Sequence, residues 1–147
     1  MASLTLAQAS TIVDVALKTG REAKFEPLTV AVLDAGGHLV ALKREDNSGI
    51  LRNEIAFGKA WGALGMGFGG RTLAGRVPQS QMFFTALSAA SQGRFVPMVG
   101  GILIRDAAGA IIGAVGISGD ASANDEKCGI AGIEAAGLTA DPGKHPS

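Results

Sequence analysis

The stretch Val99-Gly-Gly-Ile-Leu-Ile-Arg-Asp106-Ala-Ala-Gly109-Ala-Ile-Ile-Gly-Ala-Val-Gly-Ile-Ser118 decides the fold. Two apolar runs, 99–105 and 110–118, flank Asp106-Ala-Ala-Gly109, where Asp and Gly supply turn chemistry. The pattern predicts a β-hairpin. The same signature stands earlier as Asp34-Ala-Gly-Gly-His-Leu-Val-Ala41, between strand candidates 28–33 and 38–43. The shared Asp-Ala-x-Gly-x-aliphatic-aliphatic-small pattern is either recurring turn chemistry or the trace of a duplication. The runs do not alternate cleanly between apolar and polar, as expected of strands covered on both faces.

Helical periods fill the rest. Thr5 and Gln8 form a capping box, and Leu6, Ala9, Val13, Ala16 and Leu17 share one face of a helix that runs to about residue 20 or 23. A second helix is predicted over 50–64, rich in small residues, then a glycine loop over 65–70 and a short helical turn near Thr72. A third helix covers 79–90. Ser122 is expected to cap a final helix ending near Gly137, with Asp125 and Glu126 in its first turn, where the helix dipole favours acids. Residues 141–147 read as a polar, flexible tail. The order helix, hairpin, helices, hairpin, helix predicts one α/β (α+β) domain over 1–147, an antiparallel sheet with helices packed on it.

Composition narrows the function classes. The 147 residues are 47% hydrophobic and 18% charged, a balance opposite to that of a disordered chain. Thirteen basic and thirteen acidic residues cancel, so no basic stripe tracks a phosphate backbone and no nucleic-acid partner is expected. The apolar runs are too short to span a bilayer, so no membrane partner is expected either. The N-terminus carries no basic region typical of an export signal, which makes the cytoplasm the expected location. A lone cysteine, Cys128, forms no intrachain disulfide. Twenty-two glycines and a positive mean hydropathy of +0.29 suggest flush packing against other copies of the chain.

Taken in order, Val32-Leu33-Asp34-Ala-Gly-Gly37, Lys43-Arg44-Glu-Asp46, Ala56-Phe-Gly-Lys59-Ala60, Gly100-Gly101-Ile-Leu-Ile, Gly113-Ala-Val-Gly116-Ile-Ser118-Gly119 and Asn124-Asp125-Glu126 resemble the GlcG/HbpS-like family. That family includes haem-binding proteins and the C-terminal domain of PduO-type proteins. The resemblance covers the chain from the first helix to about Leu138. It implies a profilin-like fold with a central antiparallel sheet of about five strands flanked by helices, a homo-oligomer, often an octamer, and haem as a candidate cofactor. Haem-binding members place an axial histidine on or near the first helix; here that region offers Lys18, Arg21 and Lys24 instead.

The candidate residues follow. Arg44 ends a strand and Lys59 sits among small and apolar residues, so the two can converge on a carboxylate, a haem propionate or a small oxoacid. The plainer alternative pairs Arg44 with Asp46 or Glu54 and lets Lys59 snorkel to solvent. Ser118 and Gly119 are candidate ligand contacts beside them; the Gly116-Ile-Ser-Gly-Asp120 context lacks the final glycine of a nucleophile elbow. Asp125 and Glu126 are the candidate catalytic acids, with helix capping as the alternative. Asp34 reads as a turn residue. His38 is the candidate haem ligand, because His145 lies in the tail. Gly65-Met-Gly-Phe-Gly-Gly70-Arg71-Thr72 has phosphate-loop spacing with Arg in place of Lys, but follows a helix rather than a strand; its amides could hold an anion, or it could be an interface loop. No zinc or iron cluster is recognisable. Three function classes remain open: an oligomeric binding protein for haem or another carboxylated small molecule, a small catabolic tautomerase, isomerase or lyase acting on an oxoacid or ring-derived acid, and a non-catalytic assembly or chaperone role.

Overall fold

The computed structural model describes residues 3–146. Helix α1 (Leu6–Glu22) starts at the Thr5 capping box, with Gln8 N donating to Thr5 Oγ1 and Thr5 N to Gln8 Oε1. Strands β1 (Thr29–Asp34) and β2 (Leu39–Arg44) form the first hairpin, followed by α2 (Arg52–Met66), α3 (Gly70–Arg76), a single 3-10 turn (Val77–Gln79) and α4 (Gln81–Ala90). The second hairpin is β3 (Gly101–Arg105) and β4 (Ile111–Ser118); α5 (Ser122–Ala135) and a short β5 (Thr139–Asp141) complete the chain. All pairings are antiparallel and the sheet order is β2-β1-β4-β3-β5. The expected five-stranded antiparallel sheet with flanking helices is what forms. No described helix is long and apolar enough to cross a membrane.

The sheet is covered on both faces, so its inner strands are apolar on both sides, and the C-terminal half of β4 alternates by size. Val30, Val32, Ile102, Ile104, Val115 and Ile117 face α1 and α5, packing with Ile12, Val13, Ala16, Cys128 and Ile133. The opposite positions Leu33, Leu103 and Ala114 meet Ala60 and Ala63 of α2. Gly101 and Gly116, paired across β3 and β4, carry the small half of this alternation to its limit. Any Cβ at Gly116 would overlap the carbonyl oxygen of Ala56, and one at Gly101 that of Lys59. The α2 backbone therefore lies directly on the strand backbone.

Three local expectations are corrected. The N-cap of α5 is Ala121, not Ser122, and makes no side-chain cap bond. Asp120 organises that end instead, its Oδ1 accepting from Ala121 N at 2.7 Å and Asn124 Nδ2 at 2.7 Å. Residues 141–146 are not a free tail: Asp141 pairs with Arg105 Nε at 2.9 Å, Pro142 O accepts from Arg71 N, and Lys144 N donates to Thr72 Oγ1. The polar composition of 141–147 hid edge-strand pairing, which depends on main-chain groups that any residue but proline supplies. The glycine loop is also shorter than expected, since α2 continues to Met66 and α3 begins at Gly70.

Gly116→Ala is expected to cost about 3 kcal/mol, because neither apposed backbone can recede. Gly65→Ala, whose Cβ would meet nothing within 4 Å, is expected to stabilise α2 by about 0.5–1 kcal/mol. Urea unfolding of the two variants beside the parent checks both signs.

Candidate functional site

The antiparallel registers place the candidate residues at two opposite ends of the sheet. Arg44 lies opposite Thr29, and Thr29 opposite Ser118, so the C-terminal ends of β2 and β4 form one edge. Lys59, Gly119, Asp125 and Glu126 converge on that same edge. His38 sits at the other, in the β1–β2 turn, about 20 Å along the strand from Arg44 at the usual rise per residue. One ligand the size of a side chain cannot span that distance.

The first edge gathers polar groups that are buried: Thr29, Ser48, Lys59, Ser118, Asp125 and Glu126. Lys59 is 3% exposed and reaches past the end of the sheet, donating to Ile117 O at 2.8 Å and to Asp125 Oδ2 at 3.3 Å. A Cβ at Gly100 would come within 2.9 Å of Lys59 Nζ, so that glycine makes room for the ammonium. The pair joins α2 on one face of the sheet to α5 on the other. Burial pushes the Lys59 pKa below its ordinary 10.5, with the Asp125 charge opposing. Burial likewise pushes Asp125 above 3.8, with Lys59 and the Asp120 amide pulling it back. We take the pair as ionised near neutral pH, since each charge has its partner and a hydrogen bond besides.

The remaining partners were not expected from sequence. Glu126 takes both Nε and Nη2 of Arg71, with Nε at 2.9 and 3.0 Å from its two oxygens. Asp125 Oδ1 accepts from Asp120 N, so all four carboxylate oxygens of the candidate acids are engaged. Ser118 Oγ accepts from Arg52 Nη1 at 3.0 Å, and Thr29 and Ser48 share a hydroxyl bond of 2.8 Å. Gly119 allows close passage against Pro27 and Leu28, whose Cδ2 would lie 2.9 Å from an added Cβ.

Arg44 does not share a described cavity with Lys59. Its Nη1 donates to Ser48 O at 2.8 Å, and it lines a polar cleft of about 470 Å³ with Arg21, Pro27, Glu45, Asp46 and Asn47. Glu45 closes one wall, holding Arg21 Nε at 2.9 Å and Leu28 N at 2.7 Å. Four amides of the Gly65–Thr72 stretch are occupied, Gly67 N and Phe68 N by Ala63 O, Arg71 N by Pro142 O and Thr72 N by Gly69 O.

At the other end, Asp34 Oδ1 accepts from Gly36 N and His38 N and lies 3.2 Å from His38 Nδ1. The backbone bonds, the His38 amide first, hold its pKa below 3.8. The imidazole is 81% exposed, and no described group bonds its Nε2. Trp61 of α2 packs beneath the same turn, 3.2 Å from where a Gly37 Cβ would stand. Among the described residues no group of three or more His, Cys, Asp or Glu is placed to hold a metal ion.

A five-stranded antiparallel sheet between one helix and a helix pair, with buried ion pairs at one edge and a carboxylate-held histidine at the other, defines a compact α/β class. Residues 4–134 match the sequence profile of the family described as "Haem degrading protein HbpS-like", and the chain belongs to that family. Its structure is similar to the crystal structure of a PduOC:heme complex, at 25% identity, 99% coverage of this chain, 100% of the other, and a TM-score of 0.83. It is similar also to Klebsiella pneumoniae protein ORFY, at 25% identity, 93% coverage of each chain and a TM-score of 0.82. A double mutant of Streptomyces reticuli HbpS shares the fold at 24% identity, covering 91% of this chain and 87% of that one, with a TM-score of 0.77. No curated protein sequence matches the chain.

Lys59→Met leaves Asp125 buried without its cation and is expected to cost about 3–5 kcal/mol at pH 7. Part of that loss should return as pH falls toward 4. A carboxyl whose folded pKa lies above its unfolded value binds its proton more tightly in the native state, so stability rises as pH drops through that interval. Urea midpoints of parent and variant between pH 4 and 7 test it; a variant loss that does not depend on pH contradicts the assignment.

Proposed function

We propose that the protein binds haem, with His38 as the axial donor. The carrying observation is the Asp34–His38 pair. A carboxylate on Nδ1 fixes the tautomer and leaves the Nε2 lone pair outward, the arrangement usual for metal-ligating histidines. The residues present fit haem as an open, one-sided ligand: a donor, two turn glycines and the Trp61 flank, without a closed slot. Bound haem supplies a Lewis-acidic, redox-active iron. The chain's own part is to orient the imidazole and offer one coordination position. Family membership and likeness to a protein crystallised with heme support this reading.

A second reading is favoured by the polar cleft at Arg44, where a carboxylated small molecule would meet that guanidinium; Ser118 and Gly119 do not line this cleft. The enzymatic alternative, with Asp125 or Glu126 moving a proton, draws no support from acids whose oxygens are all engaged. We also propose that copies of the chain associate into a homo-oligomer, with an octamer as the form the family suggests. Ile50 is 85% exposed, Met82 87% and Phe83 51%, and association would remove these side chains from water.

Titration of parent protein and His38→Ala with hemin tests the first proposal. The expected result is a saturable Soret band that His38→Ala loses. A band unchanged in the variant, or none in the parent, overturns the assignment of His38. For the assembly, light scattering at micromolar concentration is expected to give a mass above that of a dimer; a monomer overturns it.

A further inference from the structure

A second cleft lies between α2 and α4, on the far side of Trp61 from the His38 turn. It has a volume of about 240 Å³ and is lined mainly by Trp61, Gly65, Met66, Leu87, Arg94 and Phe95. Its apolar walls belong to the third core cluster, in which Phe84 and Phe95 stack with centroids 5.8 Å apart and Trp61, Met66 and Leu87 pack around them. These walls are therefore ordered rather than adaptable. At the rim, the Arg94 guanidinium lies over the Trp61 ring, 4.7 Å from its centroid. Its Nε is committed to Ser91 O at 2.9 Å. Among the described residues, neither Nη group of Arg94 has an acceptor, and no acid forms an ion pair with it. Glu54, which lines the adjoining cleft with Arg94, is not within bonding distance.

The arrangement has two complementary parts. A guanidinium clamped in plane by an aromatic ring and one backbone bond presents its remaining N–H groups in a fixed fork, the geometry that a carboxylate accepts in bidentate fashion. The adjoining cavity is apolar and aromatic, and its volume admits a single ring rather than a macrocycle. We propose that this cleft binds a small aromatic monocarboxylate, its ring between Trp61, Met66 and Phe95 and its carboxylate on Arg94. The site does not rest on the haem reading: Trp61 stands between the two, but the ligand groups proposed here do not include His38.

Trp61 is the only tryptophan in the chain, so intrinsic fluorescence reports on this cleft directly. The experiment titrates the full chain with phenylacetate and, separately, with phenylacetamide. Phenylacetate is expected to give a saturable change at about millimolar concentration, as suits so small a ligand. The uncharged amide is expected to bind about tenfold more weakly or worse, and Arg94→Gln to show the same loss for the acid. Gly65→Leu is the blocking variant: Gly65 lines the cleft, and a Cβ there meets nothing within 4 Å that would prevent the substitution. Ala90→Leu blocks from the opposite wall on α4 should Gly65→Leu fold poorly. His38→Ala is expected to leave phenylacetate binding intact, and Ala90→Leu, which lines this cleft and not the one beneath the Gly36-Gly37 turn, to leave any hemin band intact, which separates failure of this site from failure of the other. No saturable response in the parent, equal binding of acid and amide, or undiminished binding in a folded blocking variant overturns the proposal.

Discussion

The architecture depends on the contact of α2 with the backbone of β3 and β4. At Gly101 and Gly116 the helix carbonyls of Lys59 and Ala56 occupy the space that side chains would fill. Such an approach places a helix closer to a sheet than interdigitated side chains allow. It also brings a long side chain on α2 within reach of the opposite layer. Lys59 uses that reach, passing the strand ends to Asp125 on α5. Close packing and the buried pair thus constrain each other: move the helix outward and the ammonium loses both acceptors.

That constraint explains why the first edge is polar yet closed. Lys59, Asp125, Arg71, Glu126, Arg52, Ser118, Thr29 and Ser48 satisfy one another, and a buried network with every member paired is rigid. Charges arranged in this way hold layers together, and the carboxylate oxygens among them are all engaged. The groups with unused valence stand elsewhere: the His38 Nε2 at the hairpin end, the two Nη groups of Arg94 above Trp61, and the guanidinium of Arg44 at the rim of its cleft. The binding sites proposed above therefore lie on turns and cleft rims rather than at the buried ion pairs.

The division also bears on departure from the haem-binding members of the family. With Lys18, Arg21 and Lys24 where an axial histidine is expected, α1 turns its cations to other work: Lys18 pairs with Glu22, and Arg21 holds Glu45 and the carbonyls of Phe25 and Glu26. In the haem reading proposed above, the donor comes from a different element, the carboxylate–imidazole pair at the first hairpin.

Much of the fold was legible in the sequence, because its signals are local. The Thr5–Gln8 capping box, the two Asp-Ala-x-Gly turns and the apolar runs beside them report backbone preferences that act over a few residues, and they placed α1 and both hairpins. The family pattern placed the sheet. Size alternation in 114–117 was present too, as Ala-Val-Gly-Ile, but says which face meets a helix only once that helix is known. What tertiary structure alone decided was pairing: Lys59 with Asp125, Glu126 with Arg71, Arg94 over Trp61, and β5 on the edge of β3. Each joins residues distant in the chain, and the free energy of such contacts depends on distance and burial, which no local pattern encodes. For that reason Arg44 and Lys59, neighbours in any list of cations, have different surroundings in space, one at the rim of a cleft and the other buried in an ion pair.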